Sequence, residues 1–444
     1  MDKIVNISPD TLNSERSAIL PCLSDLKVAI IGLGYVGLPL AVAFGKSRAT
    51  VGFDLNVGRV QALQSGSDAT GEIDGADLRA ADQLVYSNEP AKIADCNVYI
   101  IAVPTPIDRH NQPNLTPLIK ASETVGSVIE PGDIVIYEST VYPGATEDNC
   151  IPVVERVSGF KFNRDFYAGY SPERINPGDK ERPLQKIVKV TSGSTPEVAN
   201  LIDALYGTVI TAGTFKAASI RVAEASKVIE NIQRDVNIAL INELSMIFSR
   251  IGIDTSDVLD AAASKWNFNR MNPGLVGGHC IGVDPYYLVH KAMEVGHVPD
   301  IIRMAREVNE GMPRNAITRL VKKMIQKGST VSGGRVLLLG ITFKENCPDI
   351  RNTKVVDMLE HLADYNLSVD ICDPRADVHA VRSEFGLNIM TEVPEGTYDA
   401  VILAVGHREF KSMGPKAIRA KLKGNGVLFD MKAIFSAAES DLRL

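Results

Sequence analysis

The sequence has no apolar run near the ~20 residues that cross a bilayer, which excludes a membrane-spanning helix. It has no Lys/Arg-rich run either, and a net charge of −7 removes the electrostatic footprint of a nucleic-acid binder. Any anionic ligand would have to be held by local groups. Close cysteine pairs are also missing. Cys22, Cys96, Cys150, Cys280, Cys347 and Cys372 are scattered, so neither a disulfide framework nor a metal site follows, and a reducing cytoplasm is the expected home. The N-terminus lacks a long apolar segment with a small-residue cleavage site, so it does not read as a signal peptide. What is present is 444 residues, 45% hydrophobic and 23% charged, enough for two or three domains of ordinary globular composition.

The first motif is Gly32-Leu33-Gly34-Tyr35-Val36-Gly37, which follows the β-branched run Lys27 to Ile31 and opens the helical pattern Leu38 to Lys46. In strand, GxGxxG, helix, one glycine makes the turn, the next admits a pyrophosphate, and the third allows close packing at a helix N-terminus. A second strand, Ala49 to Phe53, ends in Asp54, seventeen residues beyond Gly37, where a carboxylate can hold the ribose hydroxyls of NAD and repel the extra phosphate of NADP. Arg59 is placed to cover the adenine or to tolerate NADP. Tyr35 and Val36 lie in the same turn. Further strands end in Pro104-Thr105-Pro106 and in Glu138-Ser139-Thr140, and the segment after Tyr170 gives Ser171-Pro172-Glu173-Arg174. Each puts polar groups at the carboxyl edge of a sheet, where ligands bind, although such clusters are also ordinary turns. Strands alternating with helices over residues 25–212 imply a doubly wound parallel sheet.

From Ala217 to Ile251 turn signals vanish and apolar residues recur at helical spacing, which predicts one long spine helix. Lys227 and Asn231 share a face of it, either as exposed polar residues or as part of a site. Further helices run to Ile325 and complete an all-α middle. Gly277-Gly278-His279-Cys280-Ile281-Gly282-Val283-Asp284-Pro285 sits inside it. If a helix begins there, its unpaired amides favour the Cys280 thiolate and Asp284 stands one turn on, able to manage a water. The alternative is a small buried apolar cysteine. After the linker Gly328 to Gly334, a second Rossmann-like domain follows without GxGxxG. Its first loop carries Phe343 and Lys344, suited to a base and a phosphate. The expected organisation is an extension at 1–24, an NAD-binding domain at 25–216, a helical dimerisation domain at 217–327 and a nucleotide-sugar domain at 328–444.

These separated motifs resemble the UDP-glucose/GDP-mannose dehydrogenase family over about residues 25–440. The resemblance rests on GxGxxG with Asp54, Glu138-Ser139-Thr140, Ser171-Pro172-Glu173, Lys227 with Asn231, the Cys280 segment with Asp284, and Phe343-Lys344 with Asp349 and Arg351. Gly-Gly-His-Cys-Ile-Gly-Val-Asp-Pro-Tyr-Tyr-Leu is similar to the branch acting on UDP-N-acetylglucosamine or UDP-N-acetylgalactosamine. The resemblance implies NAD as cofactor, a UDP-sugar as substrate, no nucleic-acid partner, no membrane insertion and a homodimer or higher oligomer. It further implies Cys280 as nucleophile with Asp284, Thr140, Glu173, Lys227 and Asn231 around it, and Arg351 reaching to the cofactor. Arg174, Gly277, Phe343, Lys344 and Lys432 would contact the substrate, and Arg270 and Asn272 are expected, from residue type alone, to hydrogen-bond its acetamido carbonyl. Lys432 stands where many members have arginine, and the loop Asn267 to Pro273 departs from the branch's pattern. A plain UDP-glucose 6-dehydrogenase and a two-electron hydroxyacid dehydrogenase are the alternatives. The second of these needs neither Cys280 nor a second nucleotide domain.

Overall fold

A computed structural model describes residues 18–108, 110–175, 182–278 and 281–444. The chain divides into two compact units, Met1–Val228 and Ile229–Leu444. In the first, short β-branched runs become the strands β1 (Val28–Ile31), β2 (Thr50–Phe53), β3 (Leu84–Ser87), β4 (Val98–Ile101), β5 (Ile134–Tyr137) and β6 (Tyr167–Tyr170). All pair in parallel in the order β3-β2-β1-β4-β5-β6. Val28, Ile30, Val98, Ile100, Ile134 and Ile136 are fully buried, as a parallel sheet covered on both faces requires. Strand order reverses between β1 and β4, so the loops after those two strands face one crevice, where doubly wound sheets take their ligands. A small parallel pair, β7 (Lys189–Thr191) with β8 (Thr214–Lys216), completes the unit's strands among the described residues. Three-residue strands give too short a pattern to be read from sequence.

The long helix spans Ile220–Ile251, three residues shorter at its start than expected because β8 ends at Lys216 and a turn follows. In the second unit it is followed by helices Thr255–Ala263, Asp284–Glu294, Asp300–Glu310 and Met312–Lys327. The last buries Met312, Ala316, Ile317, Leu320 and Met324 against Val336, Leu338, Val427 and Phe429. That sheet consists of β9 (Arg335–Leu339), β10 (Ser368–Cys372), β11 (Tyr398–Leu403), β12 (Leu422–Asp430) and β13 (Leu442–Arg443). It is parallel throughout, in the order β10-β9-β11-β12-β13, and reverses between β9 and β11. No described helix is long and apolar enough to cross a membrane.

A buried polar network fixes the helices of the second unit. Arg306 Nη1 donates to Asp235 Oδ1 at 2.6 Å, and Asn309 Nδ2 donates to the same oxygen at 2.7 Å. Asn242 Nδ2 donates to Asn309 Oδ1 at 2.8 Å, while Asn242 Oδ1 accepts from Gly274 N–H at 2.8 Å and Nδ2 reaches Gly274 O at 3.0 Å. The loop that leads into Gly277 is thus held at Gly274 by the spine helix. Arg306→Met removes one charge of a buried pair and strands the other, so unfolding free energy should fall by about 3–5 kcal/mol in chemical denaturation. A loss below about 1 kcal/mol would mean that Asp235 is reached by solvent.

Candidate functional site

The turn after β1 has the shape its glycines suggest. Gly32 adopts φ +95°, and a Cβ there would stand 2.9 Å from the carbonyl of Ala102 after β4. A Cβ on Gly37 would fall 1.8 Å from Gly32 O, so only glycine allows helix Gly37–Gly45 to start so close to the turn. Gly34 is exposed with open space beside it, and no side chain caps the helix start. Such a start attracts an anion. Asp54, at the end of β2, accepts from Leu33 N–H at 2.9 Å and from Asn56 N–H at 2.8 Å, one bond per oxygen. A carboxylate has about four acceptor sites, so it keeps capacity for two ribose hydroxyls. Arg59 donates from Nε to Leu33 O at 2.9 Å and from Nη1 to Asp68 at 2.7 Å. Burial works against ionising Asp68, yet hydrogen bonds from Thr70, Ile73 and Arg59 outweigh it and hold its pKa below the usual carboxylate range. Thr105 is half-buried beyond β4, and Ser139 Oγ ties the loop after β5 to Val103 O at 2.6 Å. The residues present therefore fit a dinucleotide.

Beside that crevice Glu138 and Glu173 meet at a lysine that the sequence reading passed over. Lys189 on β7 is buried, with Nζ 2.8 Å from Glu138 Oε2 and 3.6 Å from Glu173 Oε2. Tyr206 donates to the other oxygen of Glu138. Burial raises Glu138 above its ordinary pKa against the pull of Lys189, with the nearby Glu173 adding to the rise. Burial also opposes the charge on Lys189, but the two carboxylates win and raise its pKa. Glu173 Oε1 accepts from the amides of Arg174, at 2.6 Å, and Ile175. Its Oε2 accepts no hydrogen bond among the described residues. Arg174 itself reaches Val188 O at 2.9 Å. The only sequence signal for Lys189 was an ionisable residue inside the apolar run Ile187 to Val190.

Thr140, half-buried, sits on the loop that Glu224 secures. Glu224 accepts from Gly144 N–H at 2.5 Å and from Thr146 N–H at 2.9 Å. Lys227 lies one turn further along the same helix and is buried. Burial raises Glu224 to about 7 despite those two amide bonds.

In the second unit, Asn231 Nδ2 donates to Asp284 at 2.5 Å, and both side chains are buried. Helix Asp284–Glu294 begins at Asp284 with Pro285 in its first turn, preceded by turn residues 281–283. This corrects the expectation of a helix opening at Cys280: the helix starts after it, because Val283 is the last residue before helical hydrogen bonding begins. Cys280 and His279 lie outside the described residues. The segment before them is packed tightly. A Cβ on Gly277 would sit 2.5 Å from Asn352 O, and one on Gly278 would sit 2.9 Å from the ring of Phe343. Gly278 N–H also donates to Asn352 O at 3.1 Å.

Phe343 and Lys344 lie together after β9, the Lys344 ammonium 5.8 Å from the Phe343 ring centre. Their loop is held from both ends by His407 and Asp373. Asp373 Oδ2 accepts from Ile341 N–H at 2.7 Å, and His407 Nδ1 accepts from Asn346 N–H at 2.9 Å. His407 Nε2, left to carry the proton, lies 3.2 Å from Asp373 and 3.1 Å from Thr342 Oγ1. Arg351 makes a two-pronged pair with Asp349 at 2.8 and 2.5 Å. Lys432 is exposed, its Nζ 3.9 Å from the Cβ position of Gly274. Arg270 and Asn272 are not gathered with these groups: both are exposed, and Arg270 pairs with Asp260.

Three family models match in chain order: the UDP-glucose/GDP-mannose dehydrogenase family NAD binding domain at residues 26–210, its central domain at 221–311 and its UDP binding domain at 337–437. The chain is 58% identical to a UDP-N-acetyl-D-glucosamine 6-dehydrogenase of Pseudomonas aeruginosa, over 95% of this chain and 100% of that one. It is 57% identical to a Salmonella typhi protein of the same name, over 95% and 99%. Among solved structures, a UDP-D-ManNAc dehydrogenase from Pyrococcus horikoshii superposes with a TM-score of 0.84 at 30% identity, covering 93% of this chain and 96% of that one.

Glu224 gives the first unit a measurable pH signature. Its folded pKa of about 7 exceeds the ordinary 4.5, so the folded state binds the proton more tightly and its contribution to stability falls as pH rises from about 4.5 through 7. Compared with Glu224→Gln, the wild type should lose about 3 kcal/mol of unfolding free energy between pH 4.5 and 8. Parallel pH profiles for the two proteins would mean that Glu224 titrates normally.

Proposed function

The chain belongs to the UDP-glucose/GDP-mannose dehydrogenase family, and from that premise we propose that it oxidises carbon six of a UDP-N-acetylhexosamine to the uronic acid in the cytoplasm, for surface polysaccharide synthesis. The observation that carries the sugar assignment is that two relatives sharing more than half their residues with nearly the whole chain both bear the name UDP-N-acetyl-D-glucosamine 6-dehydrogenase. UDP-N-acetylgalactosamine is the second candidate. The Gly32 to Gly37 turn and Asp54 would hold NAD, which would supply a hydride acceptor for each of two oxidations.

The chain's own residues account for the rest. Cys280 as thiolate adds to the aldehyde carbon formed by the first oxidation, giving a thiohemiacetal whose own oxidation leaves a thioester. Water cleaves that thioester, and the thiol is regenerated with a carboxylate product. Lys227 and Asn231 stabilise the oxyanion on the carbon-six oxygen. Asp284, oriented by Asn231, holds the hydrolytic water, and Glu173, one oxygen of which accepts no hydrogen bond among the described residues, exchanges protons on the Thr140 side. Phe343 stacks on the uracil, and Lys344 pairs with the diphosphate, assisted by Lys432 and Arg174. Gly277 lets the cysteine segment lie flat on Asn352. Arg351, its fork paired with Asp349, would bring a fixed charge to the cofactor.

The assembly is a two-fold dimer through the helical part of the second unit. Ile229, Leu240, Ile247 and Ile251 on the long helix, with Ile301 and Met304 on Asp300–Glu310, are exposed. Apolar groups in such number on one group of helices need cover.

Purified protein should release two NADH per uronic acid with no free aldehyde. Cys280→Ser should stall in the second half of the reaction, because a serine alkoxide leaves an ester poorly. One NADH per product would sink the cysteine chemistry. In direct competition, the right UDP-N-acetylhexosamine should be preferred to UDP-glucose by about ten- to a hundredfold, the worth of one buried amide hydrogen bond. A preference for UDP-glucose would overturn the sugar assignment and leave the mechanism standing.

Light scattering at micromolar concentration should give twice the 48.0 kDa chain mass or a multiple of it. A monomer would reject the interface.

A further inference from the structure

The second unit contains a cavity of about 360 Å³ that none of the groups above line, bounded by the end of the long helix and by helix Met312–Lys327. Its wall carries Arg250, Arg319, Lys322 and Lys323 and no carboxylate, in a chain whose acidic residues outnumber the basic ones 54 to 47. Arg319, Lys322 and Lys323 recur at three- and four-residue spacing, so they share one helix face, where like charges oppose one another. Arg319 is committed on one side only: Nη2 donates to the carbonyl of Arg443 at 2.6 Å. Its Nε and Nη1 are buried and meet no acceptor among the described residues, and Asn315 Oδ1, one turn earlier, is buried without a donor. Burial lowers the pKa of Arg319 below its ordinary value with no carboxylate to offset it. A guanidinium in that condition is costly unless an anion meets it.

We propose that this cavity binds a small phosphorylated anion of the pyrophosphate class, free or as the phosphates of a nucleotide, at a place separate from the Phe343 and Lys344 loop. Four cations exceed what one carboxylate neutralises. The guanidinium fork matches the paired oxygens of a phosphate, and the hydroxyls of Ser249 and Thr318 add neutral donors on the same wall.

The test is calorimetric titration of the full chain with inorganic pyrophosphate at fixed ionic strength, in a Lys344→Ala background and with saturating NAD, so that neither the Phe343 and Lys344 loop nor the Gly32 turn contributes. One saturable site per chain is expected, and Arg319→Met should weaken it about ten- to a hundredfold, the worth of a charge-assisted hydrogen bond. Because Arg319 also supports the Arg443 carbonyl, Lys322→Gln with Lys323→Gln is a second arm confined to partly exposed side chains. It should weaken binding at least tenfold with turnover in the otherwise wild-type chain unchanged. A titration of UTP separates sources: binding no weaker than that of pyrophosphate is expected if nucleotide phosphates are read. No saturable binding at millimolar pyrophosphate, an unchanged affinity in the double lysine variant, or equal affinity for sulfate would each overturn the proposal.

Discussion

A buried positive charge must be met by negative ones, and in the first unit that requirement at Lys189 organises the ground around the crevice. Its ammonium draws Glu138 from the end of β5 and Glu173 from the loop after β6, and Tyr206 closes on Glu138 from a neighbouring helix. Two loops from different strands are thereby fixed relative to each other by one side chain. Lys189 is hydrogen-bonded to Glu138, while Glu173 Oε2 stays at an ion-pair distance of 3.6 Å and accepts no hydrogen bond among the described residues. The same cluster therefore holds its two glutamates unequally, although both stand at strand ends.

Each sheet solves the placement of ligand groups in the same way. In β3-β2-β1-β4-β5-β6 and again in β10-β9-β11-β12-β13, order reverses beside the first strand of the unit, and the loops that leave the carboxyl ends there diverge to opposite faces. The first unit fills that divergence with a glycine turn and Asp54. The second fills it with a side-chain scaffold. Gly340 makes the turn after β9 at φ +92°, with a Cβ position only 2.5 Å from Val405, and His407, from the loop after β11, accepts the amide of Asn346, so an imidazole joins one glycine in shaping that loop. This explains how a nucleotide-type sheet without GxGxxG still holds Phe343 and Lys344 in a defined place.

What was legible in the sequence was the part with a local signature. The Gly32 turn, Asp54, the strand ends and the spine helix follow from patterns a few residues long, and so do the two parallel sheets. Asn231 and Asp284 were legible as separate candidates, but their contact spans 53 residues and no spacing rule announces it. Lys189, Asn242 and His407 were missed for the same reason. Each acts through partners distant in the chain, and a lone ionisable or amide residue carries no periodic signal. The start of the helix at Asp284 was missed by four residues, since a glycine-rich approach gives no cap to mark the boundary. Arg270 and Asn272 looked suited to an acetamido group by residue type alone, and exposure with an Asp260 partner is what residue type cannot disclose.

The close approach of Gly278 to Phe343 makes two loops share one degree of freedom. A backbone with no side chain rests against an aromatic ring, so neither can move far without the other yielding. A molecule that steadies Phe343 by stacking therefore steadies the segment two residues before the cysteine, and free energy gained in one place is withheld or returned in the other by the same amount. The ring acts as a latch whose closed position is recorded at both ends. Freedom of the Phe343 ring together with freedom of the Gly278 backbone is then one thermodynamic state, and both held in place is the other.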